Sequence, residues 1–260
     1  MKLEFLGTGA ADWNLQRDQN TEGFRRWSSA LLNDNLLLDP GPHVFHYMET
    51  YQKPDLLDNL DYVLITHSHG DHISMDTVRR IHELRPNCRF YGNEATARNF
   101  FGTDIPYTAL LPYYDYQVGD YWVTPLISSH EGAPDELTYV YSVIAADGKK
   151  FFYGTDTALP PAKSFSYIYR GTYDLFVMEL TIGDYPDAPH LCGHMTLPTF
   201  KLMLNLVNKK RPDRPDTVKE SGKFLVTHLA KDWHKPHAEL VEQLAPFGVT
   251  PAYDGLIVEV

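Results

Sequence analysis

The seven residues THSHGDH, at 66–72, constrain this chain more than any other stretch. They follow the apolar run Tyr62-Val63-Leu64-Ile65 and hold four side chains able to ligate a metal: His67, His69, Asp71 and His72. Neighbouring imidazoles repel when charged and are costly to bury without partners. Four such groups behind a strand-like run leave expensive unpaired polarity unless a cation sits among them. The spacing suits a cation. Residues two apart on an extended segment face the same way, so His67 and His69 point together. Gly70 permits a sharp turn, after which Asp71 and His72 can face a second centre.

The remainder of the chain is long enough to build a core around such a site. Its 260 residues are 43% hydrophobic and 22% charged. That composition excludes global disorder and fits one domain spanning 1–260, or two halves sharing a core. The formal net charge of −11 argues against sequence-independent binding to nucleic acid or an anionic membrane. It leaves room for a small anionic substrate drawn to metal ions. MKLEFLGTGAADW reads as a first strand and a turn rather than a signal peptide. No stretch approaches the roughly 18 apolar residues of a membrane-spanning helix. The two cysteines, Cys88 and Cys192, form no CxxC pair, so neither a disulfide scaffold nor a thiolate zinc site is expected, and a cytoplasmic location is.

Strand-type runs recur at 2–6, 28–39, 61–67, 88–92, 121–130, 138–156, 173–180, 222–229 and 255–260. Helical spacing marks 74–85, with Val78, Ile81 and Leu84 on one face behind the N-cap candidate Ser74. It also marks 196–210, through Leu202, Leu204, Leu206 and Val207, and 235–248, with Pro236 near its start and Gly248 past its end. A mixed β core with outer helices follows, of α/β or α+β class. Residues 10–27 and 211–222 read as long irregular loops. His67, His130, Asp156, Glu179 and His228 each fall at or just after the end of a strand-type run. Ligands tend to collect beyond strand ends, so these residues are candidates for one pocket. Imidazole and carboxylate donors suit zinc, manganese or iron. Lone histidines such as His43, His46 and His82 read as surface or packing residues.

THSHGDH resembles the signature of the metallo-β-lactamase superfamily, and the later histidine, aspartate and histidine fall in that family's order. FLGTGAA, LLLDPGP, THLA and YDGLIVEV extend the resemblance along the chain. It implies an α/β fold, an αββα four-layer sandwich with a site for two divalent metals, zinc or manganese, with iron also compatible. Carried over by position, His67, His69 and His130 hold the first metal, Asp71, His72 and His228 the second, and Asp156 bridges. Asp39 in LLLDPGP matches an aspartate that supports the ligand loop. A homodimer is plausible by the same resemblance.

Two metals about 3.5–4 Å apart can share a hydroxide and neutralise an anionic substrate oxygen, which suits carbonyl or phosphoryl hydrolysis. LCGHMTL favours phosphoryl chemistry. It resembles the glycine-histidine-(serine or methionine)-threonine motif of phosphodiesterase branches, among them transfer-RNA 3′-end endonucleases and phosphoribosyl cyclic phosphodiesterases. There the histidine protonates the leaving oxygen or contacts the phosphate, a part assigned here to His194. A poor alkoxide leaving group needs that proton. Glu179 in FVMELT resembles a carboxylate orienting that histidine. Asp71, His194 and Glu179 are thus the residues expected in catalysis, Asp71 also as a ligand. RRWSSALL resembles a stretch of the cyclic phosphodiesterases, with Arg25, Arg26, Ser28 and Ser29 as pocket supports or ordinary edge-strand polarity. That group often carries a cysteine-rich zinc loop after its first strand, and 10–27 has no cysteine. The expected function is hydrolysis of a small phosphodiester or cyclic phosphate by a metal-bound hydroxide. A nuclease acting on RNA or DNA ends and a lactamase- or thioesterase-like acyl hydrolase are the alternatives. His237, near a helix start, could meet a phosphate or, like His234, lie at the surface.

Overall fold

A computed structural model describes residues 1–184, 193–207 and 216–260. In chain order the elements are β1 (Lys2–Gly7), α1 (Leu15–Asp18), β2 (Ser29–Leu32), β3 (Leu36–Leu38), α2 (Val44–Thr50), β4 (Tyr62–Leu64), α3 (Met75–Leu84), β5 (Arg89–Gly92), β6 (Tyr107–Ala109), β7 (Tyr116–Val118), β8 (Tyr121–Glu131), β9 (Leu137–Ile144), β10 (Lys150–Gly154), α4 (Ala162–Arg170), β11 (Tyr173–Glu179), α5 (Leu197–Val207), β12 (Val218–Thr227), α6 (His237–Leu244), β13 (Val249–Pro251) and β14 (Ile257–Glu259). They form two compact units. The first comprises 1–111, 131–139 and 253–259, and the second 112–130, 140–252 and Val260.

The first unit holds a seven-stranded sheet in the order β14-β1-β2-β3-β4-β5-β6. Its β14, β1, β2 and β3 pair antiparallel, and β3 to β6 run parallel. Leu31, Leu37, Val63 and Phe90 pack against Val44 and Tyr47 of α2 and Val78 and Ile81 of α3. Ser74 caps α3, its side chain accepting from the Thr77 N–H. Leu84, expected on the buried face, is exposed, because the buried arc of α3 ends with Ile81.

The second unit carries the sheet β13-β12-β11-β10-β9-β8-β7. Its strands β10 to β13 run parallel, and β11 among them is buried along its whole length. Phe176, Met178 and Val226 pack with Leu197, Phe200, Met203, Leu204 and Val207 of α5 and Leu240 and Leu244 of α6. The buried stripe of α5 therefore starts earlier than its leucines suggest, and Leu202 is exposed. Gly248 ends the turn after α6 in the left-handed region, φ 67°. Of the proline-rich segment, Val218–Gly222 lie in β12 rather than in a loop. Residues 211–215 lie outside the described residues, as do Cys192 and the lysines expected to end the helix at 209–210.

The cysteine-free loop at 10–27 is held by packing and capping. Trp13 is buried with its ring 5.9 Å from that of Phe24, and its carbonyl accepts from Trp27 Nε1 at 2.6 Å. The buried Asp18 carboxylate accepts from the Asn14 N–H and the Arg17 guanidinium.

Candidate metal centre

In the first unit, the parallel neighbours β3 and β4 end side by side, with Leu38 paired to Leu64. Asp39 and Thr66 are therefore brought together. The buried Asp39 carboxylate accepts from the Thr66 N–H and hydroxyl, 2.8 and 2.9 Å, and from His72 Nδ1 at 2.9 Å. Burial pushes the Asp39 carboxyl up, opposed by His72 and Thr66. Donation from Nδ1 leaves the lone pair of His72 on Nε2, which lies 3.3 Å from Asp71 Oδ2. After Gly70 the chain turns tightly, with the His72 and Ile73 N–H groups both donating to the His69 carbonyl at 3.0 Å. His67 Nε2 lies 3.0 Å from His69 Nδ1. Gly41 is needed where LLLDPGP meets this loop, since a Cβ there would stand 2.4 Å from the Asp71 carbonyl oxygen.

A residue not singled out in the sequence holds the same loop. Glu136, between β8 and β9, accepts from the Ser68 N–H at 2.8 Å and from the Ser68 hydroxyl at 2.5 Å. It also accepts from Asn93 Nδ2 at 2.7 Å, Thr96 Oγ1 at 3.2 Å and the Ala133 N–H at 2.9 Å. Burial alone would raise its carboxyl, but hydrogen bonds from Ser68, Ala133 and Asn93 hold it below the usual range. Ser68 stands between His67 and His69, so Glu136 fixes the extended segment that aims both rings.

In the second unit, the ends of β10, β11 and β12 are adjacent, with Gly154 paired to Met178 and Glu179 to Thr227. Asp156, Glu179 and His228 emerge there together, and His130 lies near the end of β8. His228 Nε2 is 3.2 Å from Asp156 Oδ2, and His130 Nε2 is 3.8 Å from Asp156 Oδ1. His194 Nδ1 stands 3.1 Å from Glu179 Oε1 and 3.6 Å from Asp156 Oδ1. Glu179 is fully buried and accepts from the Thr157, Thr181 and Met195 N–H groups and from the Thr181 hydroxyl. Burial opposes its charge, but His194 and, less strongly, His228 keep the carboxyl low. Because Thr181 gives its proton to Glu179, its oxygen accepts from His228 Nδ1 at 2.8 Å. The His228 lone pair then falls on Nε2, facing the Asp156 carboxylate.

The same device thus occurs in each unit: a histidine held through Nδ1 presents Nε2 to a carboxylate oxygen about one hydrogen-bond length away. Two acceptors at that separation call for a cation between them, and nitrogen plus oxygen donors suit a divalent transition metal. The ligand atoms of His130, Asp156 and His194 lie within 4.8 Å of one another. Strained backbone marks candidate segments in both units. Asp39, Asp156 and His228 have φ of 57°, 49° and 56°, in a region that favours glycine.

The profile of the β-lactamase superfamily domain matches residues 34–214. The chain belongs to that superfamily. Its fold is that of YhfI, a metallo-β-lactamase fold protein from Bacillus subtilis: 20% identity, TM-score 0.72, covering 100% of this chain and 98% of that one. A diphosphatase of the PhnP family superposes with TM-score 0.71 at 21% identity, covering 100% of this chain and 96% of its own. Zinc-bound PqqB from Methylobacterium extorquens does so with TM-score 0.72 at 16% identity over the whole of both chains. No curated protein matches by sequence. The α/β class expected from the superfamily resemblance is the one found.

Several other candidates are tied to neighbouring groups. Arg26 pairs with the buried Asp254 at 3.2 Å and donates to His46 and Thr50. Arg25 donates to Thr8, and Ser28 and Ser29 donate to the carbonyls of Gly9 and Leu38. His43 is buried, stacks on Trp27 and accepts the Trp27 N–H. His234 Nε2 donates to the Thr181 carbonyl at 3.1 Å, and His237 begins α6. Among the described residues no helix is long and apolar enough to cross a membrane.

Proposed function

We propose that this protein is a dinuclear metal-dependent phosphodiesterase acting on a small phosphodiester or cyclic phosphate. The observation that carries the reading is His194, held through Nδ1 by Glu179 beside the Asp156 and His228 donors. By the superfamily's order along the chain, His67, His69 and His130 would hold one metal, Asp71, His72 and His228 the other, and Asp156 would bridge. Zinc or manganese suits these donors. Bound there, such ions supply a nucleophile from water at neutral pH and neutralise phosphate oxygens. The likeness to a PhnP-family diphosphatase supports phosphoryl chemistry. The profile match runs through both units, which supports reading 1–260 as one hydrolase domain. The two cysteines, neither in a CxxC pair, support a cytoplasmic location.

The chain's own residues account for the proton. The ionised Glu179 favours the imidazolium of His194 and fixes its orientation. The ring is partly exposed, 28%, so Nε2–H can reach a departing oxygen. Replacing His194 with Gln should slow hydrolysis of an alkyl phosphodiester by about 10²–10⁴-fold. A p-nitrophenyl diester, whose leaving group needs no proton, should lose far less, with metal content unchanged. An enzyme of acyl chemistry would show no such split, and an equal loss on both diesters would remove His194 from the role of acid.

A further inference from the structure

The second unit contains a cavity of about 480 Å³ lined by Tyr113, Lys150, Lys163, Ser166, Tyr167, Arg170 and Gly171. None of these is among the residues assigned above to metal or proton transfer. Lys150 opens β10, whose other end leads to Asp156, so the two ends of that strand stand about 13 Å apart. The volume lies within the roughly 300–1,000 Å³ typical of small-molecule sites.

Three features make this a built site. Its first feature is charge. In a chain of net charge −11, three cations border one cavity. Among the described residues no carboxylate lies within ion-pair distance of any of them. Lys150 is half-buried, its ammonium over the rings of Tyr173 and Tyr167 at 4.9 and 5.2 Å. Burial pulls it below its ordinary value despite Asp115. Even a half-buried cation loses hydration, a cost that a bound anion offsets.

The second feature is the pair of fixed aromatic walls. Tyr113 OH donates to Ser164 Oγ at 3.0 Å, since that hydroxyl gives its own proton to the Ile127 carbonyl. Tyr167 OH donates likewise to Thr124 Oγ1 at 3.0 Å, whose proton goes to Asp115. Lys163 Nζ lies 3.9 Å from the centre of the Tyr113 ring. The third feature is strain. Tyr113 has φ 72°, a conformation that a bulky side chain rarely adopts and that clusters at ligand clamps.

We propose that this cavity binds a nucleotide-class anion, its phosphate between Lys150, Lys163 and Arg170 and its base beside Tyr113 and Tyr167. The cavity is much larger than a bare phosphate needs, and its aromatic walls suit a planar ring.

The test is calorimetric titration of the intact, metal-loaded protein with AMP, a monoester that offers no diester bond, alongside inorganic phosphate. The expected result is one AMP per chain, held at least about tenfold tighter than phosphate. Lys163→Gln and Arg170→Gln, both at exposed positions, should each weaken AMP by about tenfold with unchanged melting. Lys150→Gln should weaken AMP likewise, while His194→Gln should leave AMP binding intact. Loss of binding in His194→Gln alone would put the nucleotide at the metal residues and overturn the proposal. So would binding indifferent to all three cation variants, phosphate binding as tightly as AMP, or no saturation below about 1 mM.

Discussion

Glu136 illustrates how one side chain can set the THSHGDH loop, a candidate for metal binding, from outside it. Its two oxygens face five donors, so both must be acceptors. Glu136→Gln turns one acceptor into an NH₂ group aimed at a donor. Partners that orient metal ligands typically control about 10–100-fold in metal affinity. The variant should therefore lose zinc to a chromophoric chelator at about tenfold lower competitor than wild type. Its metal-free melting should fall much less. Equal retention of zinc would show that Ser68 holds the loop without this carboxylate. His228 and His72 carry the same logic, since Thr181 and Asp39 fix which nitrogen of each ring bears the lone pair.

At the scale of elements, the parallel register gathers the candidate residues within each unit: β3 beside β4 in the first, and β10, β11 and β12 in the second, end where these residues begin. Gly41→Ala tests the contact between LLLDPGP and the THSHGDH loop. The added methyl would meet backbone rather than a flexible side chain, so Asp71 must move. We expect a loss of about 1–3 kcal/mol in urea unfolding, together with weaker metal binding. Unchanged stability would mean the loop yields freely.

The strand ends were legible because apolar runs of β-branched and aromatic residues stop at a histidine, aspartate or glutamate. Helices α2 and α4 were not legible. VFHYMET is only seven residues long, and AKSFSYIYR carries aromatic residues that also suit strands. β6, β7 and β13 have three residues each, too few for alternation to show. Glu136 left no local trace, for its partners Ser68 and Asn93 lie 68 and 43 positions away. Arg25, Arg26, Ser28 and Ser29 read equally as pocket supports or edge-strand polarity, because a motif cannot tell a substrate contact from a tie to a neighbour such as Thr8 or the buried Asp254.

For the whole molecule, charge and protonation set the working range. His43 is pulled from 6.5 to about 4, first by burial and then by His46 and Arg26. A histidine kept neutral in the fold contributes fully above the unfolded value of 6.5. Its contribution drains as pH falls from 6.5 towards 4, because the unfolded chain takes up the proton first. The loss should reach up to about 3 kcal/mol. His43→Gln should flatten that limb in urea titrations between pH 7 and 4, and parallel limbs for both proteins would exclude His43 as the cause.

Metal-dependent phosphodiester hydrolysis is the property on which the proposed function stands or falls. Turnover of bis(p-nitrophenyl) phosphate should be measured on protein stripped of metal and reloaded with zinc or manganese, with bound metal counted. The expected result is two metals per chain, turnover only after reloading, and loss of that turnover on replacing Asp156 with Ala. Two bound metals with no turnover, alongside clear hydrolysis of a thioester or lactam, would contradict it.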